Sequence, residues 1–213
     1  SLDYDWYDGQ PRGPSLPTPP LRLIGEHTQG GFAEYAVVPA ANLLELPDDV
    51  PFEIAAAAGL VGVTAWRGLM VRGGLRAGES VLVTGASGGV STMAIQIARM
   101  AGAEVFAVTS GPNNVERIQA LGAHRVYDRE AGDFGKALWA DTGKRGVDLV
   151  LDSVGQALWP NLLRALAPRG RLVTFGATTG ALGETEIRLV FWRQLSILGS
   201  TMGSPAEFRE VMG

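Results

Sequence analysis

The chain has 213 residues, of which 46% are hydrophobic and 19% charged, and its formal net charge is −4 at pH 7. This length holds one large domain, or one domain with a fragment of another. The acidic balance disfavours a nucleic-acid partner, and the glycine-broken apolar stretch at 54–63 is too short to span a bilayer. Cysteine is absent and no signal peptide is visible, so we expect a cytoplasmic protein without disulfides.

The first part of the chain predicts little regular structure. Residues 1–25 combine acidic and aromatic side chains with a cluster of prolines, which indicates an extended arm. Two short strands are predicted at 32–39 and 43–46. A helix is predicted over 52–71, where two glycines mark a break or a close contact.

From residue 79 onward, strand-type and helix-type segments alternate. Continuous apolar runs such as 147–151 are typical of strands that are covered on both faces. Asn113 is expected to cap the predicted helix at 113–121, and Pro160 to lie in the first turn of the predicted helix at 160–167. The pattern predicts an α/β fold with a doubly wound parallel Rossmann sheet. Strands are predicted at 80–84, 104–109, 125–128, 147–152, 170–175 and 195–200, and helices at 88–101, 113–121, 133–142, 160–167, 185–193 and from 205.

A glycine-rich turn joins the first of these strands to an amphipathic helix, within Val-Leu-Val-Thr-Gly-Ala-Ser-Gly-Gly-Val-Ser at 81–91. Glycine lets the backbone approach an anion, and free N–H groups at a helix N-terminus bind negative charge. A glycine turn alone is a weak signal, but the flanking strand and helix favour a dinucleotide cradle. Ser91 stands where a third glycine is usual, and its hydroxyl is a candidate phosphate ligand. The expected cofactor-binding residues of this turn are Gly85, Ala86, Ser87, Gly88, Gly89 and Val90.

The segment after the second predicted strand bears on which nicotinamide coenzyme binds. NAD enzymes usually place a carboxylate there to take the ribose hydroxyls, whereas this chain has Thr-Ser-Gly-Pro-Asn-Asn at 109–114. Ser110 and Asn113 offer neutral donors to a 2′-phosphate. Arg117 is the nearest cation, with an ordinary solvated helix residue as the alternative. We therefore expect NADP as the cofactor, with NAD possible.

Other candidate residues follow from the position of ligands in parallel sheets, beyond the carboxyl ends of the strands. Thr64 is a candidate partner of the nicotinamide amide, or else an ordinary buried threonine. Asp152 is expected to belong to the cofactor wall rather than to act as an acid, and His27 and His124 to be loop residues. No catalytic residue is predicted. Further cofactor-binding residues are expected at Ser153, Phe175 and Gly176.

Several short motifs, each occurring once, lie along the chain. They are Gly-Gly-Phe-Ala-Glu-Tyr at 30–35, Thr-Ala-Trp-Arg-Gly-Leu at 64–69, the glycine turn, Ala-Leu-Gly-Ala at 120–123, Gly-Val-Asp-Leu-Val-Leu-Asp at 146–152 and Pro-Arg-Gly-Arg-Leu-Val at 168–173. Together they resemble the medium-chain dehydrogenase/reductase superfamily, which includes zinc alcohol dehydrogenases and zinc-free quinone reductases. The resemblance covers about residues 23–213. It implies a fragment of a GroES-like substrate domain at 1–50 and a Rossmann dinucleotide-binding domain at 51–213.

Zinc members of the superfamily hold a structural metal with four cysteines, at positions that fall near Ser1, Tyr4, Tyr7 and Ser15 of this chain. Leu60 stands where some relatives have a further cysteine ligand. Because the chain has no cysteine, it cannot form a four-thiolate site. We therefore expect no zinc.

Without zinc or a reactive cysteine, the chemistry would be carried by the cofactor. The resemblance favours a zinc-independent, NADPH-linked reductase of conjugated carbonyls or quinones, acting on a small-molecule substrate. A zinc-type NAD(P)-dependent alcohol dehydrogenase relative and a non-catalytic nucleotide-binding or sensor protein stay open, and an enoyl-reductase module of a polyketide assembly line is conceivable. Because relatives often pair through the sixth strand, a homodimer through 195–199 is possible, with neither nucleic acid nor membrane as partner.

Overall fold

The computed structural model describes residues 24–25 and 28–212. Cα packing divides the chain into two compact units, Ser1–Thr64 with Met202–Gly213, and Ala65–Thr201. The predicted boundary at residue 50 concerns domain identity and stays a prediction, as does the GroES-like fragment. His27, nearly all of the proline-rich arm and the four positions compared with zinc ligands lie outside the described residues.

The two strands predicted at 32–39 and 43–46 do not form, so this prediction was wrong. A strand is stable only when its N–H and C=O groups find partners on a neighbour. In the described residues up to 64, the one β-type pairing is an isolated bridge between Ile24 and Thr28. Most of the large apolar side chains of the segment are exposed, Phe32 completely. The residues of this segment thus have strand propensity but no strand to pair with.

The predicted helix over 52–71 forms as α1 (Phe52–Trp66), which continues as a π-helical turn at Arg67–Arg72. Gly59 does not break the helix. A Cβ atom at Gly59 would lie 3.7 Å from the ring of Phe208, which is an ordinary contact distance. The glycine therefore marks a packing contact and not an interruption.

In the described part of the chain, one segment is long and apolar enough to cross a bilayer. Phe52–Arg72 has 21 residues, and its most apolar 18-residue window has a mean hydropathy of 1.6, so the expectation that this stretch is too short was wrong. Core helices of soluble proteins meet the same criterion of length and composition. The absence of a membrane partner and the cytoplasmic location stay predictions.

The second unit contains a six-stranded sheet in the order β3-β2-β1-β4-β5-β6, with every neighbouring pair parallel. This is the strand order of a doubly wound Rossmann sheet, and the predicted fold class is confirmed. The strands are β1 (Ser80–Val83), β2 (Glu104–Thr109), β3 (Arg125–Asp128), β4 (Val147–Asp152), β5 (Leu166–Thr174) and β6 (Ser196–Gly199). The helices that follow α1 are α2 (Gly89–Met100), α3 (Val115–Ala120), α4 (Phe134–Asp141), α5 (Trp159–Ala165), α6 (Ile187–Arg193) and, in the first unit, α7 (Pro205–Met212).

Both faces of the sheet are buried under helices. Val81 and Val83 of β1 pack in the same apolar cluster as Ile95 of α2, whereas Leu82 between them packs in the cluster that contains Leu162 of α5. Successive side chains of a strand point to opposite faces, so a strand covered on both sides must be apolar throughout. Full burial of each such side chain contributes about 1.5–3 kcal/mol. This explains why the strands are legible as continuous apolar runs.

Two element boundaries differ from the prediction for local reasons. Asn113 is not a helix cap, because Pro112 starts a 3-10 turn that includes it, and α3 begins afterwards with no side-chain cap. The strand predicted to start at 170 begins at Leu166, directly after α5, with a shift of register against β4 between its two ends. Pro160 does lie in the first turn of α5.

β6 is an edge strand. It pairs with β5 on one side, and among the described residues no strand pairs with its other side. Such an edge presents unpaired backbone groups. The carbonyl of Gly199 at its end accepts a hydrogen bond from Nε of Arg72 at 2.8 Å. A homodimer through this strand stays a prediction.

An ion pair fastens the π-helical turn and the start of β1 to β5. Arg171 donates from Nη1 and Nη2 to the two carboxylate oxygens of Glu79, at 2.9 and 2.7 Å, and from Nε to the carbonyl of Gly73 at 2.6 Å. Both charged side chains are only 23% exposed. The hydrogen bonds from Arg171 lower the pKa of Glu79, although burial acts in the opposite direction.

We expect Glu79→Gln to lower the free energy of unfolding by about 1–3 kcal/mol near neutral pH, because it leaves a half-buried guanidinium without its anion. Since the pKa of Glu79 is lowered in the folded state, this stabilisation is complete above the ordinary glutamate pKa and is lost as the pH falls through the lowered value. Thermal unfolding across the acid range should therefore show a steeper loss of stability in the wild type than in the variant.

The matched control is Arg125→Ala, since that guanidinium is 65% exposed and lies 3.9 Å from Asp141. It should change the free energy of unfolding by less than about 1 kcal/mol. If wild type and Glu79→Gln lose stability in parallel on acidification, the ion pair does not stabilise the folded state.

Candidate coenzyme-binding site

The turn between β1 and α2 requires glycine at two positions. Gly85 has φ +55°, a left-handed conformation that L side chains rarely adopt, and a Cβ there would lie 3.1 Å from Oγ of Ser153. The N–H of Gly88 donates to the carbonyl of Gly85 at 2.8 Å, which closes the turn. A Cβ at Gly88 would lie 3.2 Å from that same carbonyl oxygen. The bare backbone therefore faces whatever occupies the turn.

The N-terminus of α2 supplies donors for an anion. Gly88 is the N-cap residue, no side chain caps the helix, and no acidic residue lies in its first turn. The amide of Thr92 donates to Gly88 O at 2.9 Å, whereas the N–H groups of Gly89 and Val90 precede the first intrahelical bond. With the positive end of the helix dipole behind them, these amides suit a pyrophosphate.

Two residues of the predicted cradle turn inward instead. The hydroxyl of Ser91 donates to the carbonyl of Thr84 at 2.8 Å, and the side chain is only 2% exposed. The suggestion that it reaches a phosphate was wrong, because the hydroxyl is already used to fasten α2 to the end of β1. Ala86 is fully buried, and its N–H donates to Val108 O at 3.0 Å. It therefore holds the turn to β2 and offers no free amide.

A groove runs from the cradle along the carboxyl ends of β1, β2 and β4. Five of the predicted cofactor residues line it, from the glycine turn, the end of β2 and the end of β4. Its lining contains one charged side chain, Arg129, and no carboxylate. The lining residues are Gly85, Ser87, Gly88, Val108, Thr109, Ser110, Arg129, Ser153, Val154, Leu158, Thr178 and Thr179.

Asp152 lies beneath this groove and is fully buried. Its carboxylate accepts hydrogen bonds from Thr84 Oγ1 at 2.7 Å and from the amides of Val154 and Gly155, both at 3.1 Å. A carboxylate with this many donors is held as an acceptor. Asp152 thus shapes the loop that carries Ser153, and its place in the cofactor wall stays a prediction.

The other predicted cofactor residues lie outside the groove lining. Asn113 and Arg117 are exposed on the 3-10 turn and on α3. Gly176 follows β5 and packs closely on Ser153, whose carbonyl oxygen would be 3.2 Å from a Cβ at 176. Phe175 donates its N–H to Asp152 O at 3.0 Å. Their roles toward a cofactor stay predictions.

Thr64 belongs to the first unit and is buried on α1, where its hydroxyl donates to Leu60 O at 2.7 Å. Its proposed contact with nicotinamide stays a prediction. His124, expected to be a loop residue, is exposed and accepts a hydrogen bond at Nδ1 from the amide of Val105 at 3.0 Å. It therefore has a structural contact at the start of β2.

The sequence-based prediction did not name seven of the groove residues, and two of these, Arg129 and Thr109, have polar side chains that bear on ligand binding. Arg129 follows β3 directly, and its Nε donates to the hydroxyl of Ser110 at 2.6 Å. Thr109 ends β2, is 2% exposed, and its Oγ1 has no hydrogen-bond partner within the described part of the chain. Only the strand order, which puts β3 beside β2, shows that Arg129 reaches this groove.

The unpartnered hydroxyl of Thr109 is a test of whether a dinucleotide fits. A buried hydroxyl without a partner costs free energy, and most such groups in folded proteins are paired. Thr109 belongs to the groove lining, so a rotation of its side chain would bring this hydroxyl to a polar ligand there. Together with the open amides of α2 and the glycines that a Cβ would crowd, this fits a dinucleotide coenzyme.

A zinc ion does not fit the side chains that the structure describes. Among those side chains, no three His, Asp or Glu residues come together as a metal site. The whole sequence lacks cysteine, so a thiolate site is impossible in this chain. The expected absence of zinc from the protein stays a prediction.

We expect Thr109→Val to leave the free energy of unfolding unchanged or to raise it by about 1 kcal/mol, since it replaces an unpartnered buried hydroxyl by a methyl group. It should weaken NADPH binding by about five- to tenfold, because one hydrogen bond to the ligand is lost. Thermal unfolding and titration calorimetry measure the two effects.

The control is Thr142→Val at the end of α4, where the hydroxyl donates to Leu138 O at 2.8 Å and accepts from Gly146 N at 3.0 Å. This variant should lose stability and keep its coenzyme affinity. Thr109→Val behaving in the same way would show that Oγ1 faces no ligand.

Comparison with known proteins places the chain in a family. Residues 89–213 match the family model described as zinc-binding dehydrogenase. Human quinone oxidoreductase is 32% identical over 177 residues, which cover 82% of this chain and 53% of that protein. The phthioceranic/hydroxyphthioceranic acid synthase of Mycobacterium tuberculosis (strain ATCC 25618 / H37Rv) is 35% identical over 201 residues, which cover 89% of this chain and 9% of the synthase.

Solved structures give the same relationship. An NAD-dependent alcohol dehydrogenase superposes with a TM-score of 0.87 at 40% identity, covering 91% of this chain and 57% of that chain. Crotonyl-CoA carboxylase/reductase AntE in complex with NADP superposes with a TM-score of 0.68 at 28% identity, covering 72% and 44%. The chain thus spans about half the length of these enzymes. It belongs to the zinc-binding dehydrogenase family, within the medium-chain dehydrogenase/reductase superfamily of NAD(P)-dependent oxidoreductases.

Proposed function

We propose that this chain supplies the coenzyme-binding part of a zinc-independent, NADPH-linked reductase of conjugated carbonyls or quinones. The observation that carries the proposal is the anion cradle at the start of α2, which opens into a groove whose lining has no carboxylate. Two similar proteins, by their names, support the reaction class: a quinone oxidoreductase and a crotonyl-CoA carboxylase/reductase.

The end of β2 supports NADPH over NADH. An NAD site usually has an acidic residue there to accept the ribose hydroxyls, and the same carboxylate would repel a 2′-phosphate. Here β2 ends at Thr109 and is followed by Ser110, both in the groove lining. The AntE structure is a complex with NADP, whereas the similar alcohol dehydrogenase is described as NAD-dependent.

The residues of the groove would bind and orient the coenzyme. The amides at the start of α2 hold the pyrophosphate. Thr178 and Thr179 donate from their hydroxyls to the carbonyls of Ser153 and Val154, at 2.9 and 2.7 Å, and so fix the loop that forms the opposite wall. A fixed wall limits the positions that a bound ligand can adopt.

The chemistry itself would come from the coenzyme. When bound, NADPH supplies a hydride for the β-carbon of an enone or for a quinone, and a proton from water completes the reduction. The groove lining has no histidine, aspartate or glutamate. The chain's part is therefore to position the coenzyme, with no acid or base in the groove.

An apolar cavity within the first unit supports an apolar substrate. It has a volume of about 110 Å³ and is lined mainly by apolar side chains, among them Leu60, Val63, Met202 and Phe208. Such a lining accepts the hydrocarbon part of an enone or a quinone, and pockets for small molecules are usually of this kind.

One observation favours a second candidate function. The 40% identity with an NAD-dependent alcohol dehydrogenase supports oxidation of alcohols as the alternative. That chemistry commonly needs a metal to polarise the oxygen, and the side chains in the described part of the chain do not form a site for one. Conjugated carbonyls and quinones therefore fit this chain better as substrates than alcohols do.

The test is an assay of the full-length protein with NADPH and a panel of enones, enoyl thioesters, quinones, saturated aldehydes and alcohols. The loss of reduced-nicotinamide absorbance measures turnover. We expect turnover of the conjugated acceptors, and addition of a metal chelator should leave its rate unchanged. Chelator-sensitive oxidation of alcohols, with no turnover of any conjugated acceptor, would overturn the proposal.

A pair of variants ties the activity to the cradle. Gly88→Glu adds a negative charge where the pyrophosphate binds and a Cβ that crowds the carbonyl of Gly85, and both effects should lower coenzyme affinity, together by more than about tenfold. Gly31→Glu introduces the same side chain at a position with open space around it and should have no effect.

A further inference from the structure

We propose that Arg129, oriented by Ser110, selects a coenzyme that carries a 2′-phosphate. The inference rests on the proposed function of the groove as an NADPH site and names the residue behind its selectivity. It replaces Arg117, the cation that the sequence nominated, as the partner of the phosphate.

The sheet brings Arg129 to the end of β2. β3 pairs with β2 in parallel, and the last pair in register is Thr109 with Asp128. The N–H of Arg129 then donates to Thr109 O at 3.0 Å, so the backbone remains attached to β2 for one more residue. The adenosine ribose of a dinucleotide lies beside the end of β2 in this fold. Arg129 and Ser110 therefore lie where a 2′-phosphate would be.

The guanidinium of Arg129 is held in place on one side only. Nε donates to the hydroxyl of Ser110 at 2.6 Å, and the residue is half-buried. Within the described ranges, neither Nη atom has a hydrogen-bond or ion-pair partner. The Nη donors of an arginine form a planar fork that matches the oxygens of a phosphate. Its orientation by Ser110 reduces the entropy that binding would otherwise cost.

The charges around Arg129 favour an anion on the groove side. The adjacent carboxylate, Asp128, accepts hydrogen bonds from the amides of Gly111 at 2.8 Å and Glu130 at 2.9 Å, so it is held by the loop and is not paired with Arg129. Glu130 and Asp133 line a neighbouring cavity, which Arg129 also lines, and Oε2 of Glu130 lies 3.9 Å from the position of a Cβ at Gly111. On the groove side, Arg129 is the one charged residue in the lining.

Arg117 lacks these features. It lies on α3, is exposed, and is absent from the groove lining. Arg117 lies in the segment after β2 and Arg129 in the segment after β3, and of the two only Arg129 lines the groove. Arg117 is therefore a matched control for charge.

The experiment measures binding of two probes to the full-length protein by titration calorimetry: adenosine 2′,5′-bisphosphate and adenosine 5′-phosphate. Wild type should prefer the bisphosphate. Arg129→Gln should lower affinity for the bisphosphate by about ten- to a hundredfold and leave affinity for the monophosphate within about twofold. Arg117→Gln should change neither affinity by more than about twofold. Arg129→Lys, which keeps the charge, should restore part of the preference.

A pH series separates recognition of charge from a structural effect. The second ionisation of a phosphate monoester has a pKa of about 6, so the wild-type preference should weaken below that pH and the preference of Arg129→Gln should not. Circular dichroism and thermal unfolding verify that the variants are folded.

Three results would overturn the role of Arg129. Arg129→Gln could weaken the binding of both probes equally, Arg117→Gln rather than Arg129→Gln could lose the preference for the bisphosphate, or the wild type could bind both probes with the same affinity. Because the probes need no hydride transfer, the proposed function can fail separately. Selection of the bisphosphate without turnover of any acceptor would end the reductase hypothesis and leave the role of Arg129 supported.

Discussion

The fixed position of the first amides of α2 is the constraint on which the rest of this structure depends. A pyrophosphate binds to backbone N–H groups only if the helix starts at the right distance from the preceding strand. Thr84 sets that distance. Its carbonyl accepts from Ser91 of α2, its hydroxyl donates to Asp152 and accepts from Ser153 N at 3.2 Å, and its amide donates to Leu151 O at 3.1 Å.

This network also explains features that look unrelated. The serine in place of a third glycine adds a hydrogen bond between helix and strand where glycine would only have allowed close packing. The buried carboxylate of Asp152 has donors for its oxygens and needs no catalytic role to account for its burial. Gly85 and Gly88 leave the backbone of the turn bare at two positions. Each of these contacts holds the backbone still, which lowers the entropy lost when a dinucleotide binds.

Much of the second unit could be predicted from the sequence, because a strand buried on both faces leaves a continuous apolar run and the alternation with helices fixes the class of sheet. The cradle could be predicted because strand, glycine turn and helix are contiguous in the chain. Whether residues 32–46 form strands could not be predicted from their own sequence, since a strand is stable only when it pairs with a neighbouring strand. Arg129 escaped notice for a related reason, because its proximity to Ser110 depends on β3 lying beside β2.

The direction of short polar side chains was equally hidden. Whether Ser91 faces a phosphate or Thr84, and whether the hydroxyl of Thr109 is satisfied, depends on angles that no spacing encodes. Both hydroxyls lie at the edge of the cradle, one used by the fold and one without a partner among the described residues. The hydroxyl of Ser91 therefore supports the cradle, whereas the hydroxyl of Thr109 is a candidate contact for the ligand.

The most direct measurement of the central claim is a crystal structure of the protein soaked with NADPH. We expect pyrophosphate oxygens within hydrogen-bond distance of the amides of Gly89 and Val90, with the adenosine ribose beside Ser110. A well-ordered coenzyme bound elsewhere, or an empty turn at saturating NADPH, would contradict it.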